Sequence, residues 1–215
     1  MDPEQRARAL ESLAFFGRIN ASVTHELKNV LAVINENAGL LQDLAAFADQ
    51  GAPIDPERLR RAAGAVLGQV ARGDELIKNL NAFAHCVDEP EQMLDLPRIV
   101  GLLVALCQRL AAMRCVTLVA QTEPVSVRGN AFFVLELLFQ AIVYALEHHD
   151  AASQVTVRVS PTEQGACLSV AGLARATEMP GLPDAQPLAR MLGATLDTLD
   201  NGGVLRIIVP FKAPS

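Results

Sequence analysis

Along the first fifty positions, Phe16, Asn20, Val23, Leu27, Val30, Ile34, Asn37, Leu41 and Leu44 advance in alternating steps of four and three. That spacing marks the seam of a helix packed in a bundle. It predicts a helix from about Pro3 to about Phe47, far longer than a globular helix usually runs. Gly17 and Gly39 are the places where it would bend most readily. The stretch Asp49–Ile54 breaks the pattern, and Asp55-Pro56-Glu57 then reads as N-cap, N1 proline and first-turn acid of a second helix. Its seam runs through Leu59, Ala63, Val66, Val70, Gly73, Ile77, Leu80 and Ala84. Two such helices make an antiparallel hairpin. A lone hairpin buries its two apolar stripes poorly, so pairing with a second copy in a dimeric four-helix bundle is expected.

The polar segment Cys86–Gln92, with Pro90 inside it, is the expected boundary between a domain at 1–87 and one at 93–215. Beyond it the pattern changes. Asp95-Leu96-Pro97 caps a helix through Ile99, Leu102, Leu103, Leu106 and Leu110. Val116–Ala120 and Val125–Val127 read as short strands, and Ala131 to His148 as a strongly apolar helix. Val155–Val159 and Ala166–Val170 follow as a hairpin across the Pro161–Gly165 turn. A helix capped by Asp184 runs to about Met191, and a last hairpin, Ala194–Leu199 with Val204–Val209, turns at Asn201-Gly202-Gly203. The order is helix and two strands, three times over, which belongs to an α/β sandwich. With the hairpin in front, the fold class is α+β.

Composition narrows the function classes. The 215 residues are 51% hydrophobic, 20% charged and 4% aromatic, with no Trp, which describes an ordered, aliphatic chain. A net charge of −6 without a basic stripe argues against nucleic-acid binding. Cys86, Cys107, Cys115 and Cys167 lack C-x-x-C spacing and are expected to stay reduced as small hydrophobes in the cytoplasm. His148-His149 has no ligand neighbours at zinc spacing. The polar start, Met1 to Arg6, is unlike a signal peptide, and no apolar run reaches membrane-spanning length, so no membrane association is expected.

Within the first helical pattern, His25 lies two residues from Val23 and two from Leu27, off the seam and facing solvent. Glu26 and Asn29, three residues apart, share a face beside it. The block His25-Glu26-Leu27-Lys28-Asn29-Val30-Leu31 resembles the H-box of two-component histidine kinases, whose histidine carries a phosphoryl group on a dimeric helical bundle. His25, Glu26, Asn29 and Leu31 match that pattern, while Val30 stands where the family has proline. The second half resembles the same family's ATP-binding domain in its order of elements and in two closing segments, Leu188–Leu196 and Gly202–Pro210.

The resemblance brings three nucleotide-binding features, each degraded here. The family's helix carries Glu, Asn and Asn at i, i+4 and i+8, the last holding Mg2+; the corresponding positions are Glu136, Gln140 and Tyr144, and Tyr144 cannot serve as a hard-cation ligand. The Asp-x-Gly-x-Gly that follows a strand is reduced to Ala171-Gly172-Leu173-Ala174, without the carboxylate. The glycine-rich lid is replaced by Met179-Pro180-Gly181-Leu182-Pro183-Asp184, whose prolines lack N–H donors. An intact acceptor beside a dismantled donor site is similar to the histidine phosphotransferases of bacterial phosphorelays. The resemblance therefore implies phosphoryl transfer between receiver-domain aspartates through His25, with no cofactor bound by this chain and Mg2+ supplied by the receiver. It makes response-regulator receivers and a second copy of the chain the partners. In this reading Glu26 orients the imidazole and Asn29 positions a water. The alternatives are a soluble sensor histidine kinase with a divergent ATP site and a non-catalytic dimeric pseudokinase scaffold.

Overall fold

The chain's structure is a computed structural model that describes residues 3–174, 185–199 and 203–211. The long seam becomes helix α1, Pro3–Asp49, 47 residues without a break and so about 70 Å long at 1.5 Å per residue. Neither Gly17 nor Gly39 interrupts it. Helix α2, Pro56–Ala84, starts where expected: the Asp55 side chain accepts the Glu57 N–H and Pro56 occupies the first turn. A single 3-10 turn, His85–Val87, ends the hairpin.

Of the expected α2 seam only Gly73 is buried; the other buried residues, Ala62, Leu76 and Phe83, lie one position before Ala63, Ile77 and Ala84. The seam's Val70 and Ile77 remain 46% and 48% exposed. Leu13 and Leu31 of α1 are exposed as well. On α1, Val23, Val30 and Leu44 of the expected seam are buried, and Asn20 and Asn37 turn their amides back to the Phe16 and Val33 carbonyls.

The second half is built from β1 (Gln92–Asp95), α3 (Leu96–Ala112), β2 (Thr117–Thr122), β3 (Ser126–Gly129), α4 (Ala131–Glu147), β4 (Gln154–Pro161), β5 (Gly165–Ala171), α5 (Ala185–Met191), β6 (Thr195–Leu199) and β7 (Val204–Pro210). The architecture is α+β, as the order of elements predicts. Five strands form one sheet in the order β2-β4-β5-β7-β6, parallel only between β2 and β4. Val155, Val157 and Val159 of β4, Ala166, Leu168 and Val170 of β5, and Leu205, Ile207 and Val209 of β7 are buried in alternation, covering the helix side of the sheet. On the other side, Gln121, Arg158, Ser169, Arg206 and Asp197 line up in register across all five strands.

One strand lies beyond the expected ones: β1, of whose four residues only Leu94 is buried, too short a run to show alternation. It pairs with β3 in a two-stranded sheet apart from the five-stranded one. The expected Asp184 cap, the lid and the Asn201-Gly202 turn lie outside the described residues, though β6 and β7 pair antiparallel on either side of that turn. All four cysteines are free. Burial pushes the Cys107 thiol up to about 12, whereas Cys115 is exposed rather than packed.

One buried cluster runs through both halves. Phe15, Ile19, Val23, Val30, Leu76 and Phe83 of the hairpin join Leu103, Phe132, Leu135, Phe139 and the buried strand residues in a single core. Five of the eight phenylalanines meet at this joint. The Phe15 ring lies 5.4 Å from Phe83, 5.3 Å from Phe132 and 4.9 Å from Phe139. Each such pair adds about 0.5–1.5 kcal/mol beyond the burial of its area.

Candidate functional site

The block His25–Leu31 sits mid-helix on α1. Val23 and Val30 anchor it inward, and that fixes what faces out: His25, Lys28 and Asn29 are exposed. Among the described residues the His25 imidazole has no hydrogen-bond partner. Val30, where the resembling family has proline, keeps its N–H and α1 passes through unkinked in hydrogen bonding. Glu26 does not meet the imidazole, because neighbours on a helix point about 100° apart. Its carboxylate instead accepts Arg72 Nη2 of α2 at 2.7 Å. Gly73, next to Arg72, is buried and faces Val30, one turn below Glu26. A Cβ on Gly73 would lie 3.4 Å from Val30 Cγ1.

The second set of expected positions is on α4, which is capped by Asn130 through the Phe133 N–H at 3.0 Å. The helix is apolar nearly all round, as befits one buried between a sheet and other helices. Glu136 is its single buried charge, and α1 takes it: Arg8 Nη2 lies 2.5 Å from Glu136 Oε2, and Ser12 Oγ donates to the same oxygen at 3.0 Å. Burial pushes the Glu136 carboxyl above its ordinary value of 4.5, against the opposing pull of Arg8 and the Ser12 hydroxyl. Arg8 also stacks over Phe133 at 5.7 Å, and Arg18 over Phe139 at 5.1 Å. Gln140, one turn on, has a buried Oε1 without a partner. Tyr144 stacks on His148, with ring centroids 4.2 Å apart.

These three positions do not fit a nucleotide phosphate and its metal. The carboxylate is neutralised by Arg8, and the third position offers a stacked phenol. Among the described residues, no three His, Cys, Asp or Glu side chains gather as a metal site, and no helix is long and apolar enough to cross a membrane. Gly172 has a backbone reason to be there. Its φ is +103°, and a Cβ would lie 2.1 Å from the Gln154 carbonyl oxygen. The loop behind it is tied to the end of α4: Asp150 N–H donates to the Gly172 carbonyl, and Ala174 N–H to that of His148.

The structure thus brings Glu26 and Asn29 near His25 on one helix and Glu136 and Gln140 onto one turn of another. Sequence reasoning missed the residues that close the second group. Arg8, Ser12, Phe15, Ile19, Ser22 and Glu26 themselves advance by four and three, a second stripe beside the first, and that was the available signal. Nothing in the sequence pointed to Arg72, 46 positions from Glu26.

No protein-family model and no curated relative matches the sequence. Solved structures do. The Erythrobacter litoralis blue-light activated histidine kinase EL346 superposes with a TM-score of 0.50 at 18% identity, over 90% of this chain and 63% of that one. The fold is that of a histidine kinase's helical hairpin and ATPase-like sandwich. The Acinetobacter baumannii histidine kinase AdeS matches with a TM-score of 0.48 at 12% identity, over 87% and 98% of the two chains. The ATP binding domain of PrrB from Mycobacterium tuberculosis gives 0.47 at 15%, over 59% of this chain and all of that one. The last two lie below the level at which likeness carries weight.

Proposed function

We propose that this chain is a histidine phosphotransferase of a two-component phosphorelay. It takes a phosphoryl group from the aspartate of one receiver domain onto His25 and passes it to another, without using ATP. The observation that carries this reading is the opposite condition of its two motif helices. His25 stands exposed and unpartnered on α1, while Glu136 of α4 is buried under Arg8 and Ser12 of the chain's own first helix.

In the transfer, an unprotonated ring nitrogen of His25 attacks phosphorus, the N–P bond forms as the acyl O–P bond breaks, and the aspartate leaves with the bonding pair. The proton on the other ring nitrogen stays where it is. Such a step needs alignment and charge neutralisation more than covalent help. Asn29, one turn below His25, is placed to hold a water against the phosphoryl group. Glu26, on the adjacent face, acts on the ring only through the ion pair it makes with Arg72. Magnesium comes with the receiver's acidic pocket. The exposed outer edge of the α2 seam, with Leu13 and Leu31 of α1, supports a homodimeric four-helix bundle, and the setting we assign is the cytoplasm.

The test offers the purified chain a set of phosphorylated receivers and, separately, ATP with Mg2+. Acid-labile label on His25 from a receiver, absent from His25→Ala and not formed from ATP, is the expected result. Label from ATP would replace this reading by a soluble histidine kinase. No transfer from any receiver, with His25→Ala still functional in the cell, would leave a dimeric scaffold.

A further inference from the structure

We propose that Arg72 is the residue that binds the phosphoryl group at His25, and that Glu26 holds it ready. The proposal rests on the reading of His25 as the phosphoryl acceptor. The ion pair across the hairpin is lopsided in exposure: the Glu26 side chain is 12% exposed and that of Arg72 57%. The carboxylate is thus set into the helix pair, and the guanidinium stands over its outer edge. One of the five guanidinium N–H donors is used by Glu26, which leaves others for an incoming anion. The placement follows from the backbone. Gly73 of α2 packs on Val30 of α1, the turn just below Glu26, so Arg72 beside it stands at the level of the acceptor block. Around α1, the half-buried Glu26 is followed by the exposed Asn29 and then His25, each step less than a right angle at about 100° per residue. Val70 and Ile77, the exposed apolar edge of α2, occupy a different sector from Arg72, so a second copy seated on that edge leaves Arg72 free.

Arriving phosphoryl oxygens bring two negative charges next to Glu26. Without a cation at that point, the carboxylate would repel them. With Arg72 bridging, the guanidinium screens the carboxylate and offers parallel N–H groups to the phosphoryl oxygens. The step balances as in transfer from a receiver: N–P forms, the donor's P–X bond breaks, X leaves with the pair, and the ring, keeping its other proton, takes up the positive charge. Lys28, also exposed and one turn from His25, is the competing cation, with no partner to fix it among the described residues.

Phosphoramidate tests this without any receiver. It donates its phosphoryl group to an imidazole nitrogen and releases ammonia, and phosphohistidine is followed by phosphorus NMR on the intact chain. Arg72→Ala is expected to slow labelling of His25 by about fivefold, the scale of an exposed charge contact. Arg72→Lys should restore most of the rate, Lys28→Ala should leave it within about twofold, and the difference between wild type and Arg72→Ala should shrink as salt is raised. Unchanged thermal midpoints separate this from a structural role. Equal rates for wild type and Arg72→Ala would overturn the proposal and leave the His25 reading standing. A loss that appears with Lys28→Ala instead, or that Arg72→Lys does not rescue, would also overturn it. A wild type that takes no phosphoryl group at His25 from phosphoramidate or receivers would sink both readings.

Discussion

Helices α1 and α4 each carry a row of polar residues one turn apart, and the two rows have met opposite surroundings. On α1 the row His25, Asn29 faces water because the inward positions are already filled by Val23 and Val30. On α4, Glu136 faces α1 and is held by Arg8 and Ser12. The difference teaches that a polar residue's role is set by what the fold brings to it. A buried glutamate becomes a structural anchor once an arginine and a serine hydroxyl are brought to it.

The contrast can be broken most forcefully at the aromatic joint. Phe15→Ala removes the ring that touches Phe83, Phe132 and Phe139, and it is expected to cost about 3–5 kcal/mol in denaturant unfolding. Arg8→Ala comes next. It strips the buried Glu136 carboxylate of its counter-charge, a loss of about 3 kcal/mol by the same measurement. The electrostatics of α4 also predict a pH slope. Glu136 holds its proton more tightly in the folded chain than the ordinary 4.5. The stability this adds is complete below that value and is lost as pH rises through the raised folded one. Unfolding free energies measured upward from pH 4.5 should therefore fall in wild type and be flatter in Glu136→Gln. The smallest effect is expected on the open side. Gly73→Ala places its Cβ in ordinary contact with Val30 and gains up to about 1 kcal/mol of helix propensity. A large loss there would mean that the hairpin is packed more tightly at Arg72 than the structure indicates.

Much of this was legible in the chain. The seam of α1, the Asp55 cap, the apolar α4 and the alternation of β4, β5 and β7 all follow from local spacing, which is set by helix and strand geometry. What escaped was relational. β1 is too short to show alternation, and its partner β3 lies more than thirty positions on. On α2 the expected seam lies about one position too late, because apolar residues stand on both sides of the packed stripe and spacing alone does not choose between them. The exposure of His25 followed from its offset from the seam. The engagement of Glu26 did not, since the hydrogen-bond partner lies on another helix. The capture of Glu136 was hidden for the same reason, although Arg8, Ser12 and Phe15 were spaced to make it.

The core that threads from Phe15 to Val159 also sets the terms on which the molecule can be dissected. Cutting between the 3-10 turn and β1 separates two pieces by sequence but not by surface. One would expose Phe15, Ile19 and Phe83, the other Phe132 and Phe139, each now wrapped by its counterpart. Such faces invite aggregation in water. Helix α1 is therefore to be studied with its sandwich attached, because the sandwich is the solvent in which the N-terminal half of that helix is dissolved.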